Sequence, residues 1–177
     1  MPILKIARMG HPVLRKIAAP VPEEAIRQES TQRLIDDMLD TVRDAEGAGL
    51  AAPQVHRSLR IVVLSLEEFE GFQIWINPVL IPQGDEFMLT FEGCLSVPGL
   101  RGAVARPSSV LVSALDREGR RVDLALEGYS AVVAQHECDH LDGILYLDKA
   151  EHRTVAFLDE YRKYEEEIIN DAFGASE

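Results

Sequence analysis

His136-Glu137-Cys138-Asp139-His140 gathers the residues best suited to chemistry in this 177-residue chain. On a helix, histidines four positions apart project from one face with a carboxylate beside them. Two imidazoles can hold a transition-metal cation, and Glu137 is left free to handle protons. Tyr129, Val132 and Val133 lie on the same face at helical spacing, so the buried face of this helix is expected to be its metal face. A catalytic site of this kind uses three protein ligands and keeps a fourth position for water or substrate. The motif supplies two.

The third ligand has three candidates. The longer pattern His-Glu-x-x-His-x-x-Gly-x-x-His finds its glycine at Gly143, but its last position is Tyr146, a poor replacement for imidazole. Glu160, twenty residues after His140, fits a peptidase that takes a glutamate from the next helix; the plainer role for Glu160 is a solvated charge on an acidic segment. Cys94 offers a thiolate, a strong ligand for zinc or ferrous iron, in a Gly-Cys-Leu-Ser turn. Its plainer role is a small buried apolar residue. Cys138, two positions after His136, points away from the metal face. Spacing alone does not choose between Cys94 and Glu160.

The rest of the chain bounds the setting. Its length fits one domain, residues 1–177, with a core that needs no staples. A net charge of −12 argues against DNA, RNA or anionic membrane as a broad binding surface. No apolar run reaches the length of a membrane span, and the first residues lack the character of a signal or transit peptide, so the cytoplasm is the expected compartment. Two cysteines, Cys94 and Cys138, make a disulfide framework a poor reading.

These residues must be positioned by a mixture of elements. Prolines 2, 12, 20 and 22 break the start into a wrapped arm, with Val13, Leu14 and Ile17 packed on the body. A helix is expected over Glu23–Ala45, where Leu34, Ile35, Met38, Leu39, Val42 and Ala45 form a stripe that Gly47 ends. The small-residue loop Gly47-Ala48-Gly49-Leu50-Ala51-Ala52-Pro53-Gln54 imitates a dinucleotide-binding turn. A helix precedes it where a strand should, so close approach of a substrate to the backbone is the better use of its glycines. Strands are expected over Arg60–Leu66, Ile74–Ile81 (with an edge or bulge at Pro78), Phe87–Phe91 and Val104–Arg106. Val110–Leu115 and Arg121–Leu126 form a hairpin. The motif helix runs over Glu127–Asp142, a last strand over Ile144–Leu147, and a closing helix over Glu151–Phe173 with Phe157, Tyr161, Tyr164 and Ile168 in a stripe. The fold class is α+β: mainly antiparallel strands packed around a central metal-binding helix, with a C-terminal helix.

Three stretches taken together resemble the signature motifs of the peptide deformylases: Gly47 to Gln54, Glu92-Gly93-Cys94-Leu95-Ser96, and Gln135 to His140. Gly10-His11-Pro12-Val13-Leu14 and Arg101–Arg106 are similar to that family too. The ending, helical and without insertions, resembles its bacterial type I branch. The resemblance implies Cys94, His136 and His140 as metal ligands and Glu137 as general base. It implies Gln54 and the backbone N–H of Leu95 as oxyanion donors, on a substrate beginning with N-formylmethionine. It implies a side-chain slot lined by Val132 and Val133, with Ala48 and Arg101 at its mouth and Gly49 lying against the substrate. Glu92, held by an Arg such as Arg106, would steady the metal-binding turn. Ferrous iron (Fe2+) is the implied metal, with zinc, nickel or cobalt able to replace it. The implied partners are formylmethionyl peptides and nascent chains.

Two features depart from the family. Methionine is usual where Cys138 stands. Several bacterial relatives carry a basic C-terminal helix that meets the ribosome, whereas residues 151–177 hold three basic and eight acidic side chains. Such a segment is repelled by RNA, which argues against ribosome docking through it.

Overall fold

The computed structural model describes residues 2–174. Its centre is β2 (Ile61–Ser65), whose Ile61, Val62, Val63 and Leu64 are all fully buried. A strand apolar on both sides must be covered on both faces. Val62 and Leu64 pack with Ala131, Val133, Ala134 and Leu141 of helix α3 (Gly128–Leu141). Ile61 and Val63 pack with Ile35, Met38, Leu39 and Val42 of helix α2 (Glu29–Asp44). β1 (Gly49–Ala51) pairs with one edge of β2, and β3 (Phe72–Cys94) with the other. β3 continues against β4 (Val97–Leu115), which pairs in turn with β5 (Arg121–Glu127). All of these pairings are antiparallel. The sequence-based fold class therefore holds: an antiparallel sheet around a central helix, with a helix at the C-terminal end. Among the described residues no helix is long and apolar enough to cross a membrane.

Several elements differ from the sequence expectation. Glu23–Ala45 is two helices, α1 (Glu23–Ile26) and α2, separated at Gln28, whose backbone is extended. The Gln32 amide fixes that break by donating to the Ile26 and Arg117 carbonyls. The strands expected at Ile74–Ile81 and Phe87–Phe91 are one, because the register slips between Gln83 and Phe87 instead of turning back. Val104–Arg106 and Val110–Leu115 likewise both lie in β4. Pro78 does mark a bulge, with a shift between Ile76 and Val79. There Asn77, at φ 53°, donates to the Val21 carbonyl and accepts from its N–H, both at 2.8 Å. That clamp and buried Leu14 hold the N-terminal arm, while Ile17 is exposed.

The chain after α3 was the least legible. Ile144–Leu147 is not a strand; Tyr146–Asp148 forms a 3-10 turn, closed by the Asp148 carboxylate accepting from Leu145 N–H at 2.8 Å. The closing helix starts later than expected. Buried Thr154 accepts from Ala103 N–H at 2.8 Å, and β6 (Ala156–Phe157) pairs with Leu100 and Arg101 of β4. Only then does α4 (Leu158–Phe173) begin, its Tyr161 ring 4.7 Å from that of Phe91. Phe157 and Tyr164 are exposed, and Tyr164 has non-helical backbone angles, so the expected stripe does not form a continuous buried face. The motif helix is also not one-sided. β1, β2, β3, β4 and β5 all pack around α3 and most of it is buried, Val133 serving both core and cavity wall, while Tyr129 is exposed.

Candidate metal centre

α3 carries His136 and His140 one turn apart, their rings 5.1 Å between centroids and nearly perpendicular. Cys94 ends β3, in the tight connection to β4 where the register slips between Glu92 and Cys94. That irregularity turns the thiol toward the helix, with its Sγ 3.2 Å from His140 Nε2. The three candidate ligand atoms of Cys94, His136 and His140 lie within 4.8 Å of one another. One thiolate and two imidazoles at such separations suit a divalent cation of the zinc or iron kind.

Electrostatics favours a cation at this point. Burial works against a charge on His136, yet hydrogen bonding with Cys94 and Glu92 overcomes it and pushes its pKa up to about 10. A pocket that draws a proton onto a buried ring is one that accepts a metal's charge instead. Burial drives His140 the opposite way, well below the ordinary histidine range, so its ring stays neutral and able to coordinate. The Glu92 carboxylate lies 2.7 Å from His136 Nδ1, an arrangement that would leave Nε2 to a metal. Arg106 donates two hydrogen bonds to Glu92, one of them at 2.9 Å, and a third to Asp139. This ion pair is buried, the guanidinium side chain being 2% exposed.

Glu137, between the two histidines in sequence, is pushed up to about 7 by burial, and its Oε2 has no hydrogen-bond partner among the described residues. A carboxyl titrating near neutrality suits a group that first takes and then returns a proton. Gln54 follows β1 in a 3-10 turn (Ala52–Val55) and is 1% exposed. Its Oε1 accepts from Ala51 N–H at 2.8 Å, which fixes the amide so that Nε2 faces Ser96 Oγ at 3.2 Å and Cys94 Sγ at 3.5 Å. Leu95 is the next residue after the thiol.

These groups border one cavity of about 440 Å³. Gly49, Gln54, Cys94, Leu95, His136 and Glu137 line it, as do Ala48, Arg101, Val132 and Val133. Every expected site residue except His140 therefore borders the same space, and His140 stays within the candidate metal-ligand cluster. Glu160 is elsewhere: exposed on α4, with its carboxylate 2.9 Å from Lys163 Nζ, a solvated pair rather than a ligand. Tyr146, a poor replacement for a histidine ligand, stacks its ring on His136 at 6.0 Å. Sequence reasoning did not assign roles to Ser96, which meets the Gln54 amide, or to Leu158, which adds the start of α4 to the cavity wall. Ser96 at least sat inside a recognised motif; nothing in the spacing signalled Leu158.

Fold and site together define a class: a metal-dependent hydrolase of the His-Glu-x-x-His kind, in which a cysteine at a strand end, rather than a helix glutamate, stands beside the two histidines. The family model described as polypeptide deformylase matches residues 3–156. A peptide deformylase of Halothermothrix orenii is 49% identical over 150 residues, 84% of this chain and 94% of that protein. Peptide deformylase 2 of Pseudomonas putida is 43% identical over 152 residues, 81% of this chain and 85% of its own. The solved peptide deformylase of Thermotoga maritima superposes with a TM-score of 0.80 at 37% identity, covering 85% of this chain and 99% of that one. The chain belongs to the polypeptide deformylase family, metal-dependent hydrolases that remove the N-formyl group from nascent peptides.

Proposed function

We propose that Cys94, His136 and His140 hold ferrous iron, and that Glu137, Gln54 and Leu95 carry out formyl hydrolysis beside it. The observation that carries this reading is the convergence of the thiol and both imidazoles within 4.8 Å beside a cavity that Glu137 and Gln54 also border. When bound, the cation supplies Lewis acidity, bringing the pKa of water toward neutrality and polarising the formyl carbonyl. A thiolate ligand donates charge and weakens that effect, so proton transfer by the protein matters more.

Glu137 takes the proton of the attacking water and delivers it to the departing amine nitrogen. The formyl C–N bond breaks, giving formate and a free N-terminal methionine. During attack the formyl oxygen gains negative charge, and Gln54 Nε2 with the Leu95 N–H donates to it; such a donor contributes about 3–4 kcal/mol to the transition state. Gly49 lets the peptide backbone lie close. Val132 and Val133 accept the methionine side chain, with Ala48 and Arg101 at the rim. The substrates are formylmethionyl peptides and nascent chains in the cytoplasm, reached without docking of acidic α4 on RNA.

Formate release from a formyl-Met peptide, measured anaerobically on iron-loaded protein beside its unformylated counterpart, tests the reading. Formate from the first and no cleavage of the second is expected. Peptide-bond cleavage without formate would overturn it. Glu137→Ala should keep its metal and lose turnover, whereas Cys94→Ser should lose its metal.

A further inference from the structure

A line of alternating charges runs from the surface to His136. Lys149 Nζ donates to Asp139 Oδ1 at 2.8 Å, and Asp139 Oδ2 accepts from Arg106 Nη1 at 2.8 Å. The rest of the Arg106 fork is spent on Glu92, whose Oε2 reaches His136 Nδ1. Lys149 is 40% exposed; the Asp139, Arg106 and Glu92 side chains are 14%, 2% and 5% exposed. The connectivity spans both ligand-bearing elements. Glu92 is two residues before Cys94 on β3, Arg106 stands on β4, and Asp139 adjoins His140 on α3.

We infer that Asp139 and Lys149 are positioning residues for the metal centre, fixing through Arg106 and Glu92 the separation between Cys94 and the helix histidines. This rests on the reading of Cys94, His136 and His140 as ligands. With Glu92 alone, Arg106 would keep a buried donor without a partner and could swing about its side chain, carrying Glu92 with it. Asp139 satisfies that donor and locks the fork. Lys149 balances the second Asp139 oxygen, so the carboxylate is not an unpaired partly buried charge. The other ligand makes the network more important: His140 Nδ1 is buried and has no partner among the described residues. Outer contacts that orient the histidines are thus concentrated on His136.

Cobalt-loaded protein gives a direct readout, since thiolate-to-cobalt absorption reports the Cys94 bond and a chelator times metal release. Asp139→Asn should release cobalt about tenfold faster and shift the absorption, the lower end of the effect of losing an outer contact. Its kcat for a formyl-Met peptide should fall with KM unchanged. Lys149→Met, a change at an exposed side chain that leaves the core intact, should speed release about two- to threefold, as befits an ion pair with one solvated partner. In an Asp139→Asn background the Lys149 effect should vanish, because its route is gone. Wild-type release rates in both single variants would overturn the inference, as would a fall in melting temperature with unchanged release and spectrum. If Asp139→Asn does not fold, Lys149→Met decides alone, and an unchanged rate is the overturning result. A Cys94→Ser control separates the two readings: thiolate absorption surviving in that variant sinks the ligand assignment, whereas its loss there beside unaltered release in the network variants sinks only the positioning role.

Discussion

Gly49 lies so close to the Glu137 carboxylate that a Cβ built on it would stand 2.5 Å from Oε1. The glycine is therefore a space kept for the carboxylate proposed as the base. Gly49→Ala should leave a folded protein, since the atoms it meets belong to one side chain, at a cost of about 1–3 kcal/mol for overpacking. Glu137 must move, so kcat should fall about a hundredfold or more with metal retained. Stopped-time formate assays together with metal analysis check both halves.

The Gln54 amide accepts from Ala51 N–H and donates to Ser96 Oγ and Cys94 Sγ. Gln54→Ala removes the acceptor of Ala51 N–H and the donor facing the thiol. We expect kcat to drop about 10²–10³-fold with little change in KM. Denaturant unfolding should show a loss of about 1–3 kcal/mol from the buried N–H left unpaired. Ser96→Ala, which removes only a neighbour of the amide, should give a smaller effect on both.

Tyr146 is 1% exposed, and its hydroxyl has no partner among the described residues. Its ring, by contrast, supports His136. Tyr146→Phe keeps the stacking and removes a desolvated polar atom, so stability should be unchanged or higher by up to about 1 kcal/mol, with wild-type metal affinity. Tyr146→Ala should cost about 3–5 kcal/mol through the cavity it leaves. Paired unfolding curves separate the two.

Asp148 ties the turn after α3 to the N-terminal arm, pairing with Arg15 and accepting from Leu145 N–H. The Arg15 hydrogen bond holds its carboxyl below the usual range. A depressed folded-state pKa means stability that is present above the unfolded value of about 3.9 and is lost as pH falls through the folded one. The pair is half-exposed, so Asp148→Asn should cost only about 0.5–1 kcal/mol at pH 7. Relative to wild type, that gap should shrink as pH drops below about 4, which urea unfolding across pH 3–7 would record.

Metal removal should destabilise the fold by mass action. Chelation of a protein held at a hundredfold excess of metal over Kd should forfeit about 2.7 kcal/mol. For a chain of this size that is roughly 5–10 °C in melting temperature. Calorimetry with and without chelator tests it, and Cys94→Ser should show almost no chelator response.

How much of this was legible in the sequence depended on the range over which each relationship acts. His136, Glu137 and His140 were readable because helical spacing fixes which side chains stand together within one turn, whatever the rest of the chain does. The doubly buried β2 announced itself by its unbroken apolar run, and the α2 stripe by its period. Cys94 was different. Its distance to His140 spans 46 residues and depends on the slip in register beside Glu92, which no local pattern encodes. Motif resemblance, not spacing, pointed to it.

The tertiary structure alone decided the remaining questions. It removed Glu160 by leaving α4 on the surface, and it made Tyr146 a support for His136 rather than a ligand. It converted Asp139, whose role the sequence left undetermined, into a junction between β4 and α3. It moved the start of the last helix to Leu158, because Thr154 and β6 are first claimed by β4. Residue types and local periods therefore determined what chemistry this chain can do. Which strand end meets which helix face, and so where that chemistry is assembled, was settled by packing between segments far apart in the chain.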